Sequence, residues 1–324
     1  MSPVLIALLF LSAIGLALNL YAFYQMSGLL DLRTIDADDP PEWPTVSLVI
    51  PACNEEATIE PALRSILALD YPALQILMID DRSTDRTGAI VDALAAEHAN
   101  LEVIHIETLP EGWLGKLHAM HLGAQAATGD FVVYADADVH FTPDALRRAV
   151  AWAERDDIDM LALFPRVEGK GLALIATIGA FAGLWISGVK TRQVNSDTRD
   201  AYAGIGAFNM VRRRVFETTE GWEWLRLEIA DDIGLAYLMH RHGARGRIAV
   251  APEYLSLSWY ESFGDLVRGL EKNIFAAVAR FSLMRALVVA TGMVVVPLSP
   301  VALLFTPYAW FGGCCLVVGV LCPY

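Results

Sequence analysis

FVVYADADVH, Phe131 to His140, is an apolar run, FVVYA, that stops at two carboxylates one residue apart, Asp136 and Asp138. Beta-favouring residues closed by acids read as a buried strand reaching the carboxyl edge of a sheet. Ligands bind at that edge in open α/β sheets. A strand end and a short loop can hold both side chains in a fixed relation, and hard oxygen ligands suit Mg²⁺ or Mn²⁺ bridging a diphosphate. A solvated acidic turn after a core strand has the same local pattern, so the neighbouring segments must decide.

Upstream, three more apolar runs alternate with helical periods. VSLVI ends at Pro51 and is followed by Ala52, Asn54, Glu55 and Glu56; QILMIDDRSTD ends in Asp80 and Asp81; LEVIHIE is the third. Between them, Ile59, Leu63, Ile66 and Leu67 share a helical face, and Ser83 or Thr84 is placed to cap a helix over TGAIVDALAAEH. Strand, helix, strand, helix, strand is a parallel α/β pattern. It carries no GxGxxG turn, so a dinucleotide site of that kind has no footing. In LPEGWLGKLHAMHLGAQAATGD, Lys116 opens a helix. The helix dipole prefers an anion there, and a bound phosphate would suit both the amide ends and the ammonium; an ordinary solvated lysine is the other reading. Trp113, beside two glycines, is a packing anchor or a substrate platform.

Downstream, Thr142 is expected to cap and Pro143 to start a helix, and DMLALFPRV makes a fifth strand. The small residues from Ala203 to Ala207 permit close backbone approach, with Asn209, Arg212 and Arg213 after them. Asp231 and Asp232 begin another helix. Acids are ordinary at a helix start, but a carboxylate pair can also keep one pKa up and serve as a base. ARGRIAVAPEYLSLSWYES reads as a strand or hairpin.

The chain has 324 residues and a net charge of −14, which argues against a nucleic-acid partner. Its four cysteines show neither disulfide nor zinc spacing. Mean hydropathy is +0.42, and the apolar excess lies at the ends. Val4 to Tyr24 has no charge and is long enough to cross a bilayer; with no Lys or Arg before it, a cleaved signal peptide fits less well. Leu287 to Phe305 is also uncharged, with Pro297 and Pro300 expected to kink or divide it, and an apolar tail follows. Arg33 after the first block, and Arg280 and Arg285 before the second, place the middle domain in the cytoplasm. The expected layout is a membrane helix over 1–30, a linker over 31–44, a cytoplasmic catalytic domain over 45–262, an interfacial amphipathic helix over 263–285 and one or two membrane segments over 286–324. Gly171 to Gly188, apolar and uncharged, is either a helix dipping into lipid or a buried core helix.

Taken in order, VIPACNEEATI, MIDDRSTDRT, LPEGWLGKLHAMHLGAQAATGDFVVYADAD and EIADDIGLAYLM resemble the motifs of family 2 glycosyltransferases of the GT-A fold. Within them the chain is similar to the membrane-attached group that glycosylates lipids, which includes ceramide glucosyltransferases and bacterial enzymes acting on carotenoid or hopanoid lipids. The likeness covers about residues 45 to 280. It implies that Pro51, Ala52, Asn54 and Glu55 wrap the nucleotide, that Asp80 reads the uracil ring, and that Lys116 stands on the diphosphate side. Asp136 and Asp138 match the family DxD, with Asp138 on the metal and Asp136 in support; Asp232 matches the catalytic base, with Asp231 as its acidic neighbour. The (Q/R)xxRW motif that many processive members carry is missing, which argues against a polysaccharide synthase. RGLEKN, Arg268 to Asn273, stands in its region, so that Arg268 or Lys272 is the candidate lid over the diphosphate. The activity implied is metal-dependent, inverting transfer from a UDP-sugar to a hydroxyl of a membrane lipid, at the cytoplasmic membrane. Transfer to a polyprenyl phosphate, a non-catalytic membrane-anchored scaffold and a soluble nucleotidyltransferase are the alternatives. The sugar, the lipid and the oligomeric state are left open.

Overall fold

A computed structural model of the chain describes residues 1–169, 171, 185–186, 188–196, 201–258 and 282–321. Two compact units emerge. The larger, Leu29–Gly169 with Gln193–Trp259, is built on the strands β1 (Leu30–Asp31), β2 (Val46–Ala52), β3 (Leu74–Asp81), β4 (Leu101–Ile106), β5 (Phe131–Tyr134), β6 (His140–Phe141), β7 (Met160–Phe164), β8 (Arg166–Glu168), β9 (Asn209–Arg212), β10 (Gly246–Val250) and β11 (Leu255–Ser258). Eight of them form one sheet in the order β1-β10-β7-β9-β5-β2-β3-β4, and β6-β11-β8 form a small second sheet. Within the large sheet every pairing is parallel except those of β9, which runs against both β5 and β7. The mostly parallel sheet expected from the alternating pattern is therefore present.

The helices that follow the strands are α2 (Ile59–Leu67), α3 (Thr87–Glu97), α4 (Gly115–Ala126), α5 (Ala145–Arg155), α6 (Gly221–Leu225) and α7 (Asp231–Arg241), with α1 (Pro3–Met26), α8 (Leu283–Leu303) and α9 (Ala309–Leu321) in the other unit. All seven residues of β2 and all four of β5 are buried. That is the signature of parallel strands covered on both faces, and it explains why their sequences read as continuous apolar runs. Gly123 lets α4 lie against the sheet, since a Cβ there would overlap Val49. In α2 the buried face is Ile59, Ala62, Leu63 and Ile66, close to the predicted stripe.

Three local expectations are corrected. Ser83 and Thr84 do not cap α3: its N-cap position is Arg86, without a side-chain cap, and the Asp85 carboxylate before it accepts from the Thr87 amide at 2.9 Å. The hydroxyl-bearing pair is drawn instead to the neighbouring loop. α5 begins at Ala145, two residues after Pro143, and Thr142 donates its hydroxyl to Asp144 at 2.9 Å and does not cap the helix. Of the two readings of residues 246–258, strand holds and hairpin does not, because β10 belongs to the large sheet and β11 to the small one.

The second unit contains α1, α8 and α9. Ser12 of α1 donates to Ser299 of α8 at 3.1 Å, and a Cβ on Gly15 would lie 3.2 Å from Val296. Small and hydroxyl residues on α1 thus meet α8 at close range, as membrane helices do. Among the described residues α1, 24 residues with mean hydropathy 2.3, is the helix long and apolar enough to cross a bilayer. α8 runs unbroken past Pro297 and Pro300, so the prolines do not divide it. Most of Gly171 to Gly188 and of 263–285 lies outside the described residues.

Candidate active site

The carboxyl edge of the large sheet gathers the predicted residues in two groups. The first lies at the ends of β2 and β3. Pro51 and Ala52 are buried at the end of β2. Asn54 follows in the left-handed region (φ 58°), which Asn tolerates better than most residues. Its side-chain oxygen accepts from the Thr84 amide at 2.8 Å, and its own amide donates to the Ser83 hydroxyl at 3.0 Å. The Glu55 amide donates to the Thr87 hydroxyl (2.8 Å), that of Glu56 to Asp85 (3.1 Å), and that of Arg86 to the Glu56 carboxylate (3.0 Å). The two loops are thereby laced into one surface. Asp80 is buried beneath it; one oxygen accepts from the Ser83 amide at 3.3 Å and the other meets His105 Nδ1 at 2.8 Å. Asp81 pairs with Arg82 at 2.7 Å.

The second group centres on Lys116 in the first turn of α4. Its Nζ lies 2.7 Å from Asp136 and 2.9 Å from Asp231. Burial works to lower the lysine's pKa, but the Asp136 and Asp231 carboxylates overcome it and hold the ammonium above its usual range. Asp232 accepts from the Gly206 amide at 3.1 Å and from the Ile233 amide at 2.8 Å. Burial, then the Asp231 carboxylate beside it, push Asp232 up to about 7. The backbone of Gly204–Gly206 forms the floor. A Cβ on Gly204 would overlap the Asp232 carbonyl, and one on Gly206 would stand 2.6 Å from Asp136. The close approach expected of Ala203 to Ala207 is therefore made by these two glycines. Trp113 packs at 5.5 Å and 4.9 Å from the rings of His118 and His121, an anchor for the approach to α4.

Asp138 is pushed up to about 6 by burial first and by Asp136 second, with Glu55 adding to the negative field. Among the described residues no cluster of three or more His, Cys, Asp or Glu side chains is preassembled for a metal. Asp136 and Asp138 nevertheless fit Mg²⁺ or Mn²⁺, since such ions commonly take one or two carboxylates from the protein and complete their shell with phosphate and water. Burial disfavours the charged form of Asp138, and a cation beside it would offset that cost. Arg268 and Lys272 lie outside the described residues. Sequence reasoning missed His105, Asp92, Ser83 and Thr84 as parts of this edge; His105, a polar residue at the end of an apolar strand, was the one visible signal.

The family described as Glycosyl transferase family 2 matches residues 47–219. A beta-monoglucosyldiacylglycerol synthase of Synechocystis sp. is 30% identical over 246 residues, covering 73% of this chain and 49% of that protein. A poly-beta-1,6-N-acetyl-D-glucosamine synthase of Staphylococcus aureus is 26% identical over 227 residues, 68% of this chain and 52% of that protein. The chain thus spans about half the length of these curated relatives. Among solved structures, a mannosyltransferase from Pyrobaculum calidifontis in complex with GDP-Man and Mn²⁺ aligns with a TM-score of 0.58 at 22% identity, over 97% of each chain. The fold is GT-A-like.

Proposed function

The chain belongs to glycosyl transferase family 2, and on that premise we propose that it transfers a sugar from a UDP-sugar to a hydroxyl of a membrane lipid, with inversion. One observation carries the reading. Lys116 bridges Asp136, on the side where a diphosphate is expected, and Asp231, whose neighbour Asp232 is the raised carboxylate. Donor and acceptor chemistry thus meet within a single ion-paired cluster.

In this reading Asp232 takes the proton of the acceptor hydroxyl. The oxygen attacks the anomeric carbon, the bond from that carbon to the phosphate oxygen breaks, and its electron pair leaves with UDP. One base opposite one leaving group gives inversion and needs no sugar–enzyme bond. The Gly206 and Ile233 amides hold the two oxygens of Asp232 and so aim its remaining lone pairs. Lys116 supplies positive charge for the leaving diphosphate, and its tie to Asp136 and Asp231 fixes it there. A divalent cation on Asp136 and Asp138, when bound, supplies further charge neutralisation of the leaving group. Asp80, Asn54 and Glu55 form the nucleotide side. The lipid acceptor is supported by the glucosyldiacylglycerol synthase relatives and by α1 as a membrane anchor. The catalytic domain is proposed to lie on the cytoplasmic side, with α8 and α9 as the C-terminal membrane segments and 263–285 at the interface.

The test is incubation of the full chain in detergent with membrane lipid extract and several UDP-sugars, reading glycolipid by mass spectrometry and free UDP in parallel. Glycolipid with stoichiometric UDP is expected. Pyrophosphate in place of UDP would make the chain a nucleotidyltransferase, and a product on polyprenyl phosphate would move the acceptor assignment.

A further inference from the structure

His105 sits between two carboxylates. Its Nδ1 lies 2.8 Å from Asp80 and its Nε2 lies 2.9 Å from Asp92. Both distances are those of charge-assisted hydrogen bonds. A neutral imidazole can donate from one nitrogen only, so the paired geometry calls for the imidazolium. The scaffold is shaped for the arrangement. Asp80 and His105 are directly paired across β3 and β4. Gly88 and Asp92 are four residues apart on α3 and so share a face. At Gly88 a Cβ would stand 2.9 Å from the Asp80 carboxylate and 3.5 Å from the His105 ring, so the glycine leaves room for the pair. One turn later the same face supplies the second carboxylate.

The partners are unequal. Asp80 is buried, whereas the Asp92 side chain is 59% exposed and that of His105 44%. A carboxylate offers about four acceptor directions, and two on Asp80 are taken, by His105 and by the Ser83 amide. Acceptor capacity remains for a ligand N–H, in a direction set by those two contacts. We propose that His105, braced by Asp92, is a positioning residue that orients Asp80 toward the imide N–H of the donor's nucleobase. The inference rests on Asp80 being the base reader in the function proposed above.

The charged groups facing His105 are Asp80 from β3 and Asp92 from α3, and both raise its pKa, Asp92 the more strongly. The brace therefore persists to higher pH than an ordinary imidazolium would allow. It is lost as pH rises through the histidine's titration, because one contact opens when the ring can donate only once. Loss of Asp92 lowers the pH at which this happens.

The experiment compares UDP with N3-methyl-UDP, which lacks the imide proton, by titration calorimetry on the full chain in detergent from pH 6 to pH 9. The wild type should bind the methylated nucleotide about 10-fold or more weakly, the scale of a lost hydrogen bond to a charged group. His105→Gln should reduce that ratio to within about 3-fold at every pH, a loss smaller than deletion of the bond itself. Asp92→Asn, on the exposed face of α3, should keep the ratio at pH 6 and lose it at lower pH than the wild type. A destabilised but otherwise intact pocket would weaken both nucleotides alike and leave the ratio unmoved. If the wild type does not discriminate, Asp80 does not read the imide and the base assignment itself fails. If it discriminates and both variants keep the full ratio across the range, the assignment stands and the role of His105 is overturned.

Discussion

Two clusters of charge sit at opposite ends of β5, built from the same residue types to opposite effect. At the amino end, ahead of Phe131, the charges are paired with one another and with the backbone. Arg212 pairs with Glu154 at 2.8 Å and lies 4.4 Å from the centre of the Phe131 ring; Arg213 donates to the Gly129 carbonyl at 2.7 Å and pairs with Glu217 at 3.1 Å. Asp130 accepts from the amide and hydroxyl of Thr45, which hold its carboxyl below the usual range. At the carboxyl end, Asp136, Asp138, Asp231 and Asp232 surround Lys116, and Asp138 and Asp232 are displaced upward. Density of charge does not separate the two clusters. The direction of the shifts does: Asp130 is held down by its Thr45 hydrogen bonds, whereas Asp138 and Asp232 are pushed up by burial, as acids at functional sites often are.

That contrast can be broken by experiment. The largest effect is expected at the proposed cation site: excess chelator, or Asp138→Asn, should reduce UDP release to background without lowering the melting temperature. Full turnover in chelator would mean that the carboxyl end needs no metal. Next comes the base. A general base contributes about 10² to 10⁴ in rate, so Asp232→Asn should lose roughly two orders or more in turnover, with UDP affinity by calorimetry near the wild-type value. Asp231→Asn should lose less; the reverse order would exchange their roles.

The amino end should answer in the other currency, stability. Arg212→Met leaves Glu154 unpaired at a mostly buried site, and breaking such a pair costs about 3–5 kcal/mol. A fall in melting temperature of roughly 5–10 °C is expected, with turnover per folded molecule unchanged; a loss of turnover without a loss of stability would refute the division. The smallest effect is one of pH. Because Asp232 is raised from its ordinary value to about 7, its protonated form is the one the fold prefers. Its contribution to stability is complete below about pH 4 and is lost as pH rises through 7. Asp232→Asn should therefore melt higher than the wild type by a few degrees at pH 8, with the difference closing toward pH 4, while wild-type turnover climbs with pH up to about 7.

Much of the carboxyl end was legible because it depends on one-dimensional patterns. Buried parallel strands must be continuous apolar runs, so the acids that end them are conspicuous, and Lys116 and the Asp231–Asp232 pair stand where helices begin. What was hidden depends on register. Nothing in LEVIHIE says that His105 lies beside Asp80, since a shift of one residue between β3 and β4 would separate them. Ser83 and Thr84 were misassigned for a related reason: a hydroxyl before a helix is equally fit to cap it or to bind a neighbouring loop. The choice was made by Asn54, 29 and 30 residues away.

The lacing of the loops after β2 and β3 has a consequence for how an anion is held. The amides of Asn54, Glu55, Glu56, Thr84, Arg86 and Thr87 all donate to side chains of the two loops. In many phosphate sites such amides are left bare and form a concave nest around the oxygens. Here they are already engaged, so in the proposed reading these two loops offer a diphosphate no bare nest, and its contacts fall to the start of α4 and the Lys116 ammonium. A share of that grip is that of a point charge, sensitive to ionic strength.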